Sequence, residues 1–170
     1  MSNAARFVVL TGAELLPMTK LAKALDAKQI QTIHLDAAGL RESIEKLSSP
    51  PNALVVGLYG MHANAPDSVK GAFNLMDAIR QCRDVSGCLP RYAIGIFPQS
   101  QEASLAAVSA AAGSLMRYVT SHMLYEDINI NLIAYRDTAL GHQRAADTTQ
   151  ALLSGLLDTV RGQTFVLTDD

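Results

Sequence analysis

Six short apolar runs that alternate with stretches of helical periodicity restrict the fold of this chain more than any other feature. Each run is six or seven residues long, and the runs cover 6–11, 30–35, 53–59, 92–97, 128–134 and 163–168. Their length, β-branched residues and flanking Gly or Pro predict buried strands. Between the runs, apolar residues recur every three or four positions and predict helices over 15–27, 37–47, 66–83, 101–125 and 144–160.

Regular alternation of strand and helix predicts βαβ crossovers, because parallel neighbours need a long connection that a helix supplies. We therefore expect an α/β fold, a doubly wound and mostly parallel six-stranded sheet with helices on both faces, which is a Rossmann-like three-layer sandwich. The 170 residues show no repeat, linker or low-complexity segment. A single Rossmann-like domain over 1–170 is the prediction.

Composition argues against several classes of partner. The net charge of −2 gives no electrostatic reason to expect nucleic acid or an anionic membrane as a partner. No apolar run approaches the ~20 residues of a membrane span, and the first residues do not resemble a secretory signal. Cys82 and Cys88 lack the spacing of a zinc site, so no metal is expected and both are predicted to be free thiols in the cytoplasm.

Four stretches carry a resemblance to a known family. They are NALVVGLYG at 52–60, SVKGAFNL at 68–75, the helix and strand at 116–134, and the closing helix and strand at 149–169. In order and spacing they resemble the short-chain dehydrogenase/reductases, especially the β-ketoacyl-carrier-protein reductases, over about two-thirds of the chain. The resemblance implies a nicotinamide dinucleotide fold with a Tyr-x-x-x-Lys active site.

The phosphate-binding loop that the resemblance implies is degraded here. Members of the family carry Thr-Gly-x-x-x-Gly-x-Gly after the first strand, where bare backbone meets the pyrophosphate. This chain has TGAELLPM at 11–18, so Thr11 and Gly12 remain while Leu16 and Met18 stand where glycines are needed. Glu14 adds negative charge near an anion site. We expect no cofactor in the usual pose.

The first half of the chain is also shorter than the family pattern, because one βα unit is missing before Gly60. Asp36 follows the second strand, where the family places the carboxylate that binds the adenosine ribose. It is either that carboxylate or the N-cap of the next helix, and the cap is favoured. Thr11, Gly12, Asp36 and Gly60 are therefore predicted to be vestigial cofactor positions.

The catalytic positions that the resemblance implies are occupied by residues without acid–base chemistry. The family tyrosine and lysine align with Val108 and Ala112, neither of which can carry a proton. The family asparagine aligns with Ser68, and the family serine falls near 95–97, where no serine is present. The resemblance thus implies a shortened and catalytically degenerate relative.

An unconventional ligand site is a weaker interpretation of the segment after the third strand. Tyr59, His62 and Asn64 flank Gly60 at the carboxyl end of a predicted parallel strand, where α/β proteins bind ligands. The simpler interpretation of His62 is a solvated loop histidine.

The helices at 66–83 and 101–125 are rich in small and flexible residues, and the second has few charges. The resemblance implies that such a pair forms a four-helix bundle with a second subunit, although both apolar sides could be internal. The candidate interface residues are Phe73, Met76, Arg80, Leu105, Met116 and Met123.

The favoured hypothesis is a non-catalytic structural or regulatory subunit that forms a homodimer, or a heterodimer with an active ketoreductase. Two alternatives remain open. One is a divergent NAD(P)-dependent oxidoreductase, and the other is a module that binds a small ligand or an acyl carrier.

Overall fold

The computed structural model describes residues 7–11, 16–26, 31–35, 40–46, 51–58, 65–99, 105–122, 128–155, 157 and 159–169. Within these residues the strands are β1 Phe7–Thr11, β2 Gln31–Leu35, β3 Ala53–Gly57, β4 Tyr92–Gln99, β5 Asn129–Arg136 and β6 Thr164–Leu167. The helices are α1 Leu16–Asp26, α2 Leu40–Glu45, α3 Ala65–Ser86, α4 Leu105–His122 and α5 Ala139–Leu153.

The strands form one sheet in the order β2-β1-β3-β4-β5-β6, and every described pairing is parallel. The chain runs outward in both directions from the boundary between β1 and β3, where Thr11 lies opposite Val56. The predicted α/β class, with a parallel sheet and a Rossmann-like arrangement, is confirmed.

The helices pack in two layers, one on each face of the sheet. One buried cluster joins α2, α3 and α4 to the sheet and includes Ile44, Leu75 and Leu115. The other joins α1 and α5 to the opposite face and includes Leu25 and Ala145. Burial on both faces explains why β3 and β4 are nearly continuous apolar runs rather than alternating ones.

The fourth strand continues past Pro98, which the sequence predicted would stop it at residue 97. Pro98 pairs with Tyr135 of β5, and β4 ends at Gln99. The neighbour on the other side, β3, ends at Gly57 opposite Ile96. Because no strand among the described residues lies beside Pro98 on that side, its missing N–H leaves no acceptor of β3 without a donor.

The last helix lies earlier in the chain than the predicted 144–160. It begins at Ala139 because the side chain of Thr138 accepts a hydrogen bond from the N–H of Gly141 at 2.9 Å, which is an N-cap. It ends at Leu153, and Gly155 follows with φ of 81°, a left-handed conformation that suits glycine. Val160, predicted to extend the helical stripe, packs on the core from a turn instead.

A buried amide holds the segment before β6 against β5. The side chain of Asn131 donates to the carbonyl of Val160 at 2.9 Å and to the side chain of Asn129 at 2.7 Å. Its oxygen accepts from the N–H of Gln163 at 3.0 Å. The side chain of Asn131 thus satisfies part-buried backbone groups on both sides of the turn before β6.

Among the helices that the structure describes, none is long and apolar enough to cross a membrane.

Candidate functional site

The boundary between β1 and β3 is the topological switch point of the sheet. From β1 the chain enters α1 on one face, and from β3 it leads to α3 on the other. In doubly wound sheets the two connections diverge at this point and leave a crevice at the carboxyl ends of the strands, where ligands bind. The architecture therefore places the candidate ligand crevice beside Thr11 and Gly57.

Most of the residues predicted to contribute to this crevice fall outside the described segments. Thr11 is the last residue of β1, and the structure describes its backbone only. The predicted positions outside the described residues are Gly12, Asp36, Tyr59, Gly60, His62 and Asn64. The register of β1 and β3 brings Thr11 and Gly57, the last residues of these two strands, to the same edge of the sheet.

The positions aligned with the family's catalytic residues lie on α3, α4 and β4. For Ser68 on α3 and Val108 on α4 the structure describes the helical backbone only. Ala112 has no exposed surface and belongs to the core cluster under α4. The segment 95–97, where the family serine was aligned, is inside β4, and the strand reaches the sheet edge only at Gln99. The Gln99 carbonyl accepts from the N–H of Asp137 at 3.0 Å.

The six candidate interface residues separate into different environments. Phe73 and Arg80 are exposed on α3. Met76 and Met116 are instead buried in the core, so they contribute nothing to the surface of this chain. Leu105 begins α4, where only its backbone is described, and Met123 lies outside the described residues.

Three aromatic rings form a row across the outer side of α3 and α4. Phe73 meets Tyr118 edge to face with ring centroids 5.5 Å apart, and Tyr118 stacks on His122 at 4.3 Å. Phe73 is 51% exposed, one of two large apolar side chains with such exposure in the described part of the chain. Tyr118 is partly buried against the core.

A group of polar side chains at the start of α5 was not predicted as a unit. His142 is 4% exposed, and its Nε2 lies 3.2 Å from Asp137 Oδ1. Lys20 of α1 places its Nζ 3.5 Å from the same oxygen. Lys20 is far in sequence from Asp137 and His142, which are close to each other, and only the cap signal of Thr138, four residues before His142, could have pointed to the position.

The segment after β6 is fastened to the same end of α5. Thr138 donates its hydroxyl hydrogen to the Asp169 carboxylate at 3.0 Å. Arg144 donates to the carbonyl of Thr168. The cap residue of α5 thus connects β5, α5 and the segment after β6.

Within the described residues no group of three or more His, Cys, Asp or Glu side chains could hold a metal ion. Cys82 is buried and Cys88 is exposed, and both are free.

Comparison with known proteins gives structural matches only. No protein-family model matches the sequence, and no curated protein matches it significantly. The fold is similar to that of enoyl-[acyl-carrier-protein] reductase (NADH) from Aquifex aeolicus, with a TM-score of 0.63, 11% identity, and coverage of 95% of this chain and 94% of that one. It is also similar to 3-alpha-hydroxysteroid dehydrogenase from Pseudomonas sp., complexed with NADH, with a TM-score of 0.61, 12% identity, and coverage of 95% and 94%.

A third similar structure is an oxidoreductase of the short-chain dehydrogenase/reductase family from Burkholderia thailandensis, with a TM-score of 0.61, 12% identity, and coverage of 95% of this chain and 90% of that one. Identities this low show a shared fold. The fold of this chain is therefore like that of the short-chain dehydrogenase/reductases, as the sequence resemblance predicted.

Proposed function

We propose that the chain is a non-catalytic subunit with a short-chain dehydrogenase/reductase-like fold, which pairs with itself or with an active reductase through α3 and α4. The observation that carries the proposal is the burial of Ala112. A family lysine at this position would have to keep its ammonium group in an apolar cluster, at a large desolvation cost. The tyrosine of the family's active site is likewise replaced here, by Val108.

The outer side of α3 and α4 supports the pairing. The exposed residues of α4 are mainly small, which lets a second helix approach closely. The exposed ring of Phe73, backed by Tyr118, offers an aromatic side chain of the kind enriched at protein interfaces. Mixed charges, such as Asp77 and Arg80 on α3, suit an isologous contact in which the same surface meets itself.

Sedimentation velocity with two matched variants tests the pairing. Phe73→Glu places a charge in the proposed interface, and we expect it to shift the chain toward monomer. Leu140→Glu is the control, because Leu140 is similarly exposed at 45% but lies on α5, on the opposite face of the sheet. A wild-type chain that stays monomeric at high concentration, and that recovers no reductase when used as bait in a cell extract, contradicts the proposal.

A second candidate is a divergent NAD(P)-dependent oxidoreductase, or a module that binds a small ligand or an acyl carrier. The switch point beside Thr11 and Gly57 favours it, because this is where doubly wound folds hold ligands. The names of two of the similar structures include NADH. One is a dehydrogenase complexed with NADH, and the other is an enoyl-[acyl-carrier-protein] reductase (NADH).

Calorimetric titration distinguishes the non-catalytic subunit from the oxidoreductase. Heat on addition of NADH or NADPH, with a defined stoichiometry, would favour the oxidoreductase. No heat at millimolar cofactor favours the non-catalytic subunit. Native mass spectrometry of protein purified under mild conditions would show a retained small ligand, which would favour the binding module.

A further inference from the structure

The C-terminal end of α3 carries both cysteines of the chain. The helix ends at Ser86, and Gly87 follows with φ of 72°, the left-handed conformation that closes many helices. The N–H of Gly87 donates to the carbonyl of Arg83 at 2.8 Å. In such a cap the residue after the glycine, here Cys88, turns back toward the side chains of the last helical turns, where Cys82 lies. The cap therefore brings together two thiols that are distant along an extended chain.

The hydroxyl of Ser86 lies between the two cysteines. Its oxygen is within hydrogen-bond distance of the carbonyl oxygens of Cys82, at 2.6 Å, and Cys88, at 2.9 Å. The sulfur of Cys88 lies 3.7 Å from the same oxygen. With its one hydrogen directed at a carbonyl, the hydroxyl oxygen can still accept from a thiol. The Cys88 side chain is thus held over the last turn of α3.

The two thiols differ in their access to solvent. Cys82 has no exposed surface and packs in the core cluster that joins α3 to the sheet, whereas Cys88 is exposed. Burial raises the pKa of the Cys82 thiol, while a hydrogen-bonding contact with Ser86 lowers it and the nearby Cys88 raises it. Cys82 is therefore protected from reagents in solution but not from its neighbour.

We propose that Cys82 and Cys88 are a modification site, which forms an intramolecular disulfide by exchange with a small-molecule disulfide such as glutathione disulfide. In the first step the Cys88 thiolate attacks one sulfur of the small disulfide, whose S–S bond breaks and releases one thiolate. In the second step Cys82 gives its proton to solvent, attacks the Cys88 sulfur of the mixed disulfide and expels the second thiolate. The protein thiols lose two electrons, the small disulfide gains them, and the released thiolates take up the two protons. This proposal does not depend on the proposed function.

The geometry of the cap suits such a bond. A disulfide requires Cα atoms within about 7 Å of each other and side chains that face each other. Residues on the two sides of a left-handed cap commonly make side-chain contact, and both thiols here contact the hydroxyl of Ser86. Rotation of the exposed Cys88 side chain then closes the bond while Cys82 stays buried. The bridge fastens the end of α3 to the connection that enters β4 at Tyr92.

Non-reducing peptide mapping tests the proposal on the folded wild-type chain. Glutathione disulfide is added, the reaction is stopped with acid at a series of times, and free thiols are alkylated before digestion with trypsin. Trypsin cleaves after Arg83, so the two cysteines fall in separate peptides, 81–83 and 84–91. We expect a glutathione adduct on Cys88 that rises and then declines. The two peptides should then appear joined by a disulfide, and the intact chain should lose the mass of two hydrogen atoms.

Two single variants separate the steps. Cys88→Ser keeps only the buried thiol and should not react with glutathione disulfide while the chain is folded. Cys82→Ala keeps only the exposed thiol and should stop at the glutathione adduct. The mapping of the wild-type chain does not depend on the folding of either variant. A wild-type chain that retains the adduct on Cys88, or that becomes linked to a second chain through Cys88, would overturn the proposal.

Urea unfolding shows whether the bond belongs to the folded chain. The closed loop restricts the unfolded chain, so the folding equilibrium constant of the oxidised wild type should be about tenfold higher or more than that of the reduced one. Treatment with a dithiol reductant should restore the original value. An oxidised chain that is no more stable than the reduced chain would mean that the bond forms only when the end of α3 opens, and the proposal would be wrong.

Discussion

Gly141, in the first turn of α5, lies so close to the end of β5 that a Cβ on it would stand 2.0 Å from the carbonyl oxygen of Arg136. The same Cβ would be 3.1 Å from the hydroxyl of Thr138, which caps the helix. The carbonyl oxygen of Arg136 belongs to the backbone, so it cannot move away by a change of rotamer as a side-chain atom could. Glycine at this position lets α5 start directly above the strand and so brings His142 to Asp137.

Gly141→Ala should therefore destabilise the chain by about 2 kcal/mol or more, since either the helix start or the strand end must shift. For a chain of this length that corresponds to a fall in Tm of at least about 4 °C. Gly113→Ala on α4 is the matched control, because its Cβ would make ordinary contact with Arg117 at 3.6 Å. The control should be neutral or stabilising by up to about 1 kcal/mol. Equal effects in the two variants would contradict the close approach.

Gly95 in the middle of β4 is packed against side chains rather than backbone. A Cβ there would lie 2.5 Å from Leu132 and 2.8 Å from Leu58. Gly95→Ala should cost about 1–3 kcal/mol through overpacking. In the double variant Gly95→Ala/Leu132→Ala, the loss in free energy of unfolding should be smaller than the sum of the losses in the two single variants. The reason is that alanine at position 132 leaves room for the added Cβ. Urea unfolding of all four proteins measures this, and strictly additive losses would show that the strain lies elsewhere.

The buried amide of Asn131 should be needed for stability and not for any surface function. Asn131→Leu removes the side-chain partners of the Val160 carbonyl and the Gln163 N–H. An unsatisfied buried polar group costs about 1–3 kcal/mol, so the free energy of unfolding should fall by at least about 2 kcal/mol. Asn52→Leu, at an exposed position before β3, should change it by less than about 0.5 kcal/mol. A tolerated Asn131→Leu would mean that the turn before β6 is held by other contacts.

The two cysteines should differ sharply in reactivity. Burial raises the pKa of the Cys82 thiol and the nearby Cys88 adds to this, while a hydrogen-bonding contact with Ser86 acts in the opposite direction. A raised pKa keeps Cys82 protonated at mildly alkaline pH, and the thiolate is the reactive form. Alkylation of the native chain, followed by peptide mapping, should modify exposed Cys88 first and Cys82 only after unfolding. Labelling of both at one rate in the native chain would contradict this.

Much of the architecture follows from the sequence alone. Short apolar runs separated by helical periods determined the parallel α/β sheet, because a buried parallel strand needs apolar residues on both faces and a crossover needs a helix. Element ends were less predictable. Pro98 predicts a strand end, yet β4 passes through it because β3 has already ended. The helical periodicity predicts a start of α5 at Arg144, although the capping residue is Thr138.

For the candidate site too, some properties follow from the sequence and others only from the tertiary structure. The sequence by itself determined that Val108 and Ala112 carry no group that can hold a proton, since the identity of a side chain decides this. Only the tertiary structure decided that Met76 and Met116 are internal, because helical periodicity does not say which side of a helix meets the sheet. It alone brought Lys20, Asp137 and His142 together, because contacts between distant segments are set by how α1 and α5 pack on one face of the sheet and leave no periodic trace in the sequence.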